Sequence, residues 1–169
     1  MIRLNAICFA LGLALTLSFA PFNFFFVAPA AIAGFYYLVL DKNVLDKNCG
    51  DKLEVFIRST FFGLGHYCSS LYWISAPLFV DIKSYYFMLP LSLIALPLVM
   101  SLFISIPSVI SYHFARNRRA IGIILFSTLI VIMELIRTFI IPFPWNLVGY
   151  SVDGFSPLMQ FSRFITIHG

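Results

Sequence analysis

The stretch on which the reading turns is ELIRTFIIPFPWNLVGYS, Glu134 to Ser151. It opens inside a long apolar run, with a carboxylate and a guanidinium three residues apart, and then breaks on two prolines around Phe143. The i, i+3 spacing puts Glu134 and Arg137 on one face of a helix. Pro142 and Pro144 cannot donate to a helical ladder, and each pushes the residue before it into extended geometry. The helix therefore stops here, and Trp145, Asn146 and Tyr150 follow on irregular backbone.

The surrounding composition says what solvent this helix meets. The chain of 169 residues is 61% hydrophobic and 11% charged, with a mean hydropathy of +0.96. Soluble domains average about 45–50% apolar and about 25% charged residues, and a small water-soluble core cannot hide so much apolar surface. The expected fold is all-α, a polytopic membrane helix bundle forming a single transmembrane domain over residues 1–169. Runs of about 20 apolar residues cross a hydrocarbon layer of roughly 30 Å. Five such spans are expected, over about residues 5–20, 24–40, 55–76, 86–112 and 120–141. Residues 142–169 then form an outer-face corner and an incomplete sixth helix. Pro21-Phe22-Asn23 between the first two spans predicts a tight helical hairpin.

Charge gives an orientation. Arg3, Lys42, Lys47, Lys52, Arg58, Arg116, Arg118 and Arg119 fall in or beside one set of loops, against Lys83 and Arg163 on the other, eight basic residues to two. The positive-inside bias puts the N-terminus in the cytoplasm and the Pro-Phe-Pro-Trp corner outside. The net charge of +4 thus serves topology, and no basic stripe of a nucleic-acid interface is present. Arg3 followed by an apolar stretch and Ala31–Gly34 imitates a cleavable signal, but the stretch is far longer than an h-region of about 7–15 residues and contains Pro21. Cys8 and Cys68 lie in spans and Cys49 in a reducing loop, which predicts no disulfide. His66, His113 and His168 share no ligand spacing with the cysteines or carboxylates, and neither a metal nor a cofactor is expected.

Lipid supplies no hydrophobic drive between helices, so close packing needs small residues at helical spacing. Ala10, Ala14 and Ser18, then Ala30 and Gly34, then Gly65 and Ser69 are the expected contact faces. Pro90, Pro97 and Pro107 predict kinks in the fourth span. No internal repeat or low-complexity segment is visible, and the D-K-N echo around residue 47 reads as a solvated turn.

Two clusters are candidates for chemistry. In GLGHYCSSLYWIS, His66, Ser69, Ser70 and Trp73 share one helical face. Tyr72 and Trp73 read either as an outer aromatic belt or as ligand-facing groups. Glu134 and Arg137 would each cost about 2.5–3.5 kcal/mol alone at the bilayer centre, so they face the bundle interior, water or headgroups. They read either as an intrahelical clamp or as a site where Arg137 meets an anionic phosphate while Glu134 holds it in place.

Three stretches carry a family likeness: LSFAPFNFFFVAP on the first hairpin, FFGLGHYCSSLYWIS on the third span, and ELIRTFIIPFPWNLVGYS at the fifth. In order and along nearly the whole chain, they resemble the membrane half of bacterial apolipoprotein N-acyltransferase. The resemblance implies a bacterial inner-membrane transferase of eight helices, with a nitrilase-like domain on the outside that supplies a Glu-Lys-Cys triad. By family, the cysteine takes an acyl chain from phospholipid as a thioester and passes it to the N-terminal diacylglyceryl-cysteine of a lipoprotein. The resemblance carries no catalytic residue onto this sequence, which reads as an N-terminal fragment, inactive alone and marginally stable. It is expected to be either the remnant of an interrupted gene or one half of a split enzyme completed by a second chain. The implied rim for phospholipid and lipoprotein comprises Glu134, Arg137, Pro144, Trp145, Asn146, Tyr150, Tyr72 and Trp73. Pro142 stands where the family usually has a small residue, which stiffens the corner. A small helical transporter or channel subunit, or a structural membrane partner, are the competing readings.

Overall fold

The computed structural model describes residues 2–40, 51–115, 119–141, 145–152 and 160. Pro142, Phe143 and Pro144 of the corner, the loop around Cys49 and the expected sixth helix (apart from residue 160) lie outside them. The described residues are mostly helical, with no strand among them. They form α1 (Ile2–Thr16), α2 (Val27–Leu40), α3 (Asp51–Leu71), a 3₁₀ segment (Tyr72–Phe79), α4 (Ile82–Tyr85), α5 (Leu96–Ala115), α6 (Arg119–Ile140) and a terminal 3₁₀ turn (Val148–Val152). Two continuous helical runs are long and apolar enough to cross a membrane, Ile82–Phe114 and Ala120–Ile140. α1 and α2 are apolar but shorter, and α3 begins with Asp51, Lys52, Glu54 and Arg58.

Proline explains where the elements depart from the expected spans. The third was expected to run to residue 76, yet α3 ends at Leu71 and the chain tightens into 3₁₀ turns containing Pro77. Without an N–H, Pro77 cannot bond the carbonyl four residues back, and Ser75 Oγ donates to the Tyr72 carbonyl at 2.5 Å. The fourth was expected to begin at residue 86, yet regular α-helix starts only at Leu96. Between Pro90 and Pro97 the chain widens into a π turn, Leu91–Ala95, in which the Leu96 N–H bonds the Leu91 carbonyl. Such widening is where a helix absorbs a break in its ladder.

The first turn is built as its sequence suggests. Phe24 N–H donates to the Leu17 carbonyl at 3.0 Å, and Asn23 takes a positive φ of 54°, a conformation that asparagine tolerates better than most residues. The chain reverses, and α1 and α2 pack as a hairpin.

α3 is the central helix, between α1 and α5, with α2 beside it and α6 on α5. Two glycines set its distance from α1. A Cβ at Gly12 would lie 2.0 Å from the Phe62 carbonyl oxygen, and one at Gly65 would lie 2.1 Å from that of Phe9. The crossing is backbone on backbone. This chooses the buried face of α1: Ala10 is exposed and Ala14 half-buried, whereas Gly12 is buried. Ala10 is two residues from Gly12, about 200° round the helix. Ala30 is likewise exposed, and α2 turns Ala28, Ala31 and Phe35 inward. Gly34 does meet Leu11, whose Cδ1 would sit 3.3 Å from an added Cβ.

On α5, Ser101, Ser105, Ser108 and Ser111 form a fully buried stripe. Ser111 Oγ donates to the Gly122 carbonyl of α6 at 3.0 Å, and Ser105 Oγ lies 2.9 Å from Thr60 Oγ1 of α3. Small hydroxyl residues let helices approach and then link them. Aromatic rings fill the middle: the Phe35 ring lies 4.2 Å from Phe62 and 5.8 Å from Phe126, tilted to both.

Arg58 corrects the charge count. It is fully buried, ion-paired with Glu54 one turn earlier, and its Nη1 donates to the Leu38 carbonyl at 2.6 Å. It satisfies an orphan carbonyl at the end of α2, so it serves packing. The loop-side basic count falls to seven against two.

Candidate functional site

The helices line a half-open cavity of about 310 Å³. α6 gives it a stripe at helical spacing, with Phe126, Ile130, Glu134 and Arg137 all on the lining. From residue 126 to residue 137 the helix rises roughly 16 Å. Chemistry changes along that length. Near Phe126 the walls include Phe35 and Phe62; Phe103 packs with Tyr67, and the polar lining residues are His66, Tyr67, Ser127, Glu134, Arg137 and Asn146. The cavity is therefore apolar with one polar end.

The polar end is held by a link between distant residues. Glu134 Oε1 accepts the Val148 N–H at 2.7 Å, fastening the terminal 3₁₀ turn to α6. Leu147, buried to 1% exposure, anchors the same turn. Asn146 adopts a φ of 53° and lines the cavity. Glu134 thus holds the Val148 turn, which lines the cavity with Gly149, through a carboxylate oxygen.

Arg137 is only 5% exposed. Its Nη2 and the Asn146 Nδ2 are buried without a hydrogen-bond partner among the described residues. Both atoms are donors, so the polar end presents N–H groups lacking acceptors. A buried donor left unpaired costs about 1–3 kcal/mol, more for a charged group, and an anion entering the cavity recovers that.

His66 is set by a relay from α1. Its Nδ1 lies 3.1 Å from Thr16 Oγ1, which lies 2.7 Å from Ser69 Oγ, which donates to the Gly65 carbonyl at 2.8 Å. Phe19 packs against the imidazole at 5.4 Å.

The expected rim residues divide. Glu134, Arg137 and Asn146 meet at the cavity. Trp73 and Trp145 meet with tilted rings 5.1 Å apart outside its lining and are 38% and 43% exposed. Tyr72 is 67% exposed, and Tyr150 is half-buried against the main apolar cluster. Pro144 lies outside the described residues. Of the helical face expected to hold His66, Ser69, Ser70 and Trp73, the first two turn to Thr16 while Trp73 turns to Trp145. Tyr67 and Thr16 were missed. Tyr67 sits in the quoted Gly-His-Tyr stretch, but nothing local marks it as buried.

These features define a class: an all-helical bundle with two membrane-length apolar runs and a one-ended polar cavity. The chain belongs to the apolipoprotein N-acyltransferase family, because residues 11–169 match its N-terminal domain. It is 34% identical over 163 residues to the apolipoprotein N-acyltransferase of Rickettsia bellii, covering 96% of this chain and 31% of that protein. The Rickettsia typhi relative is 33% identical, covering 100% of this chain and 32% of its own length. The Brucella melitensis relative is 30% identical, covering 95% and 31%. The chain spans about a third of the length of these relatives. No solved structure matches it significantly.

Proposed function

We propose that this chain is the membrane-embedded N-terminal part of an apolipoprotein N-acyltransferase. It sits in the bacterial inner membrane as one helical domain of five spans, with its N-terminus in the cytoplasm. The remaining asymmetry of basic residues, seven to two, supports that orientation. Acyl transfer from phospholipid to the diacylglyceryl-cysteine of a lipoprotein is proposed for this part together with a nitrilase-like Glu-Lys-Cys domain, on the same chain or a second one. Without that domain the chain is inactive. Its own share is to receive lipid: the corner, with Trp73, Trp145 and Tyr72 at the interface, forms the rim. Pro144 and Tyr150 are proposed as further members of that rim.

One observation carries this reading, namely Arg137, buried at the polar end of an apolar cavity with a donor to spare. It is placed to take a phospholipid phosphate, while Glu134 keeps the corner closed over it. The experiment is Arg137→Ala in this chain completed by the remainder of a full-length relative. Thioester formation from radiolabelled phospholipid is expected to fall about ten- to a hundredfold, the worth of a charged hydrogen bond, with assembly unchanged. Undiminished thioester formation would refute the proposal.

A further inference from the structure

Helix length fixes the height of the chain that joins α3 to α5. α3, α5 and α6 are 21, 20 and 22 residues long. At a rise of about 1.5 Å per residue each measures roughly 30–33 Å, the thickness of one hydrocarbon layer. α3 and α5 run antiparallel, because Gly63 meets Ser101 while Thr60 meets Ser105. The residues from Tyr72 to Ala95 therefore leave and rejoin the bundle at one end. The contact of Trp73 with Trp145 puts that end on the side of the corner. The apolar helical run that contains α5, Ile82–Phe114, has 33 residues and rises roughly 50 Å. That is about 20 Å more than one layer needs, and the surplus lies at the Ile82 end.

The surplus is apolar and bare. From Tyr72 to Ala95, all of them described residues, Ser75 alone is buried, and Asp81 and Lys83 are the only charges. Val80 is 89% and Phe87 64% exposed. In water these residues would form an apolar patch of a kind that soluble surfaces rarely carry. At the bilayer centre Asp81 and Lys83 would each cost about 2.5–3.5 kcal/mol. The headgroup boundary suits both kinds of group, and aromatic rings concentrate there. The segment also folds back on itself, with Tyr72–Phe79 packed against α4 and the π turn. Local turns take up its amides: the Val80 N–H donates to the Pro77 carbonyl and the Tyr85 N–H to the Asp81 carbonyl, both at 3.2 Å.

We infer that Tyr72–Ala95 is an interfacial anchor that binds the lipid surface on the corner's side of the membrane. It lies along that surface, with its apolar side chains about 5–10 Å into the boundary between headgroups and acyl chains. Lipid is the occupant of this face, and the proposed nitrilase-like domain is not, because both ends of the segment are fixed to helices of membrane thickness and its exposed rings sit at bilayer height. The inference rests on the proposed reading of α3, α5 and α6 as spans, and adds a lipid-binding surface outside them.

The test measures depth on the full chain in phosphatidylcholine vesicles, with a bimane label on a single cysteine in a Cys8→Ala, Cys49→Ser, Cys68→Ala background. The labelled variants are Val80→Cys and Phe87→Cys, with Ile132→Cys as a reference near the middle of α6, where the native side chain is 42% exposed. The quenchers are aqueous iodide and phosphatidylcholines carrying a nitroxide either near the glycerol or near the chain end. Labels at residues 80 and 87 are expected to lose more emission to the nitroxide near the glycerol than to the one near the chain end, and the label at 132 the reverse. If the cysteine-free background does not fold, Val80→Trp combined with Trp73→Phe and Trp145→Phe reads the same depth from its own fluorescence. Quenching at 80 and 87 by iodide and by neither lipid would place the segment in water and overturn the inference. Stronger quenching from the chain end would place it in the hydrocarbon and do the same. So would the loss of all quenching once the chain is completed by the remainder of a full-length relative, since protein would then cover the segment. Any of these with the reference intact defeats the anchor alone; a reference that the chain-end nitroxide does not quench defeats the reading of α6 as a span, and the inference with it.

Discussion

Gly65→Ala is expected to unfold the α1–α3 pair. In an exposed helix the same change adds about 1 kcal/mol of stability through backbone propensity, so the sign of the effect is diagnostic. Here the new methyl would lie 2.1 Å from the Phe9 carbonyl oxygen and 3.1 Å from the Leu13 nitrogen. Both belong to backbone within a helix, and neither can rotate away as a side chain does. The helices must separate by more than 1 Å, which breaks the Thr16–His66 contact and loosens the packing of Phe62. Overpacking of ordinary side chains costs about 1–3 kcal/mol, and a backbone collision belongs at or above the upper end. Against a typical total stability of about 5–15 kcal/mol, the loss is large. Gly12→Ala, whose methyl would meet the Phe62 oxygen at 2.0 Å, is expected to behave alike. The double variant costs less than the sum, because one separation relieves both clashes. Ala10→Leu, on the exposed face of the same helix, serves as the control and is expected within about 0.5 kcal/mol. Thermal unfolding followed by size-exclusion in detergent measures all four. A Gly65→Ala protein as stable as the parent would show that the two backbones do not touch.

Arg58→Ala carries the second large effect. It leaves Glu54, itself 1% exposed, as a buried carboxylate deprived of its guanidinium. It also removes the donor to the Leu38 carbonyl. Removing one member of a buried pair costs about 3–5 kcal/mol, mainly through the charge left behind. That cause makes a distinctive forecast. Glu54→Leu combined with Arg58→Met, which removes both charges at similar volume, is expected to recover most of the loss, since apolar replacement of a buried pair is often neutral or stabilising. The readout is the midpoint of denaturation in mixed micelles. A double variant as damaged as Arg58→Ala would mean that the hydrogen bond to α2, and not the abandoned charge, was the main contribution. An undamaged Arg58→Ala would restore the residue to the loop charges from which it has been withdrawn.

Arg58 also marks where linear reading runs out. In sequence it is a cation near a loop, indistinguishable from Lys52. Only the docking of α2 on α3 gives it a carbonyl to cap, and burial follows from that. The glycine crossing has the same origin. Ala10 and Ala14 at four-residue spacing were sound candidates for a contact face by pattern alone. A helix can use any small stripe, however, and the tightest fit is between Gly12 and Gly65, where no side chain intervenes. The serines of α5, at spacings of four, three and three, were not singled out in the sequence, and their pairing with Thr60 and Gly122 depends on which helices arrive.

What the amino-acid sequence determined by itself is local: apolar runs long enough to be helices, prolines that end or widen them, an asparagine that lets the first hairpin turn, and Glu134 and Arg137 on one side of α6. Each follows from sterics and hydrogen bonding within about one helical turn. The tertiary structure decided the rotation of each helix about its axis, and with it the cavity. Whether Arg137 has an acceptor, which groups His66 meets and whether Glu134 meets the backbone of Val148 depend on atoms brought together from separate segments. Those atoms meet only because two glycines let α1 and α3 approach to backbone contact.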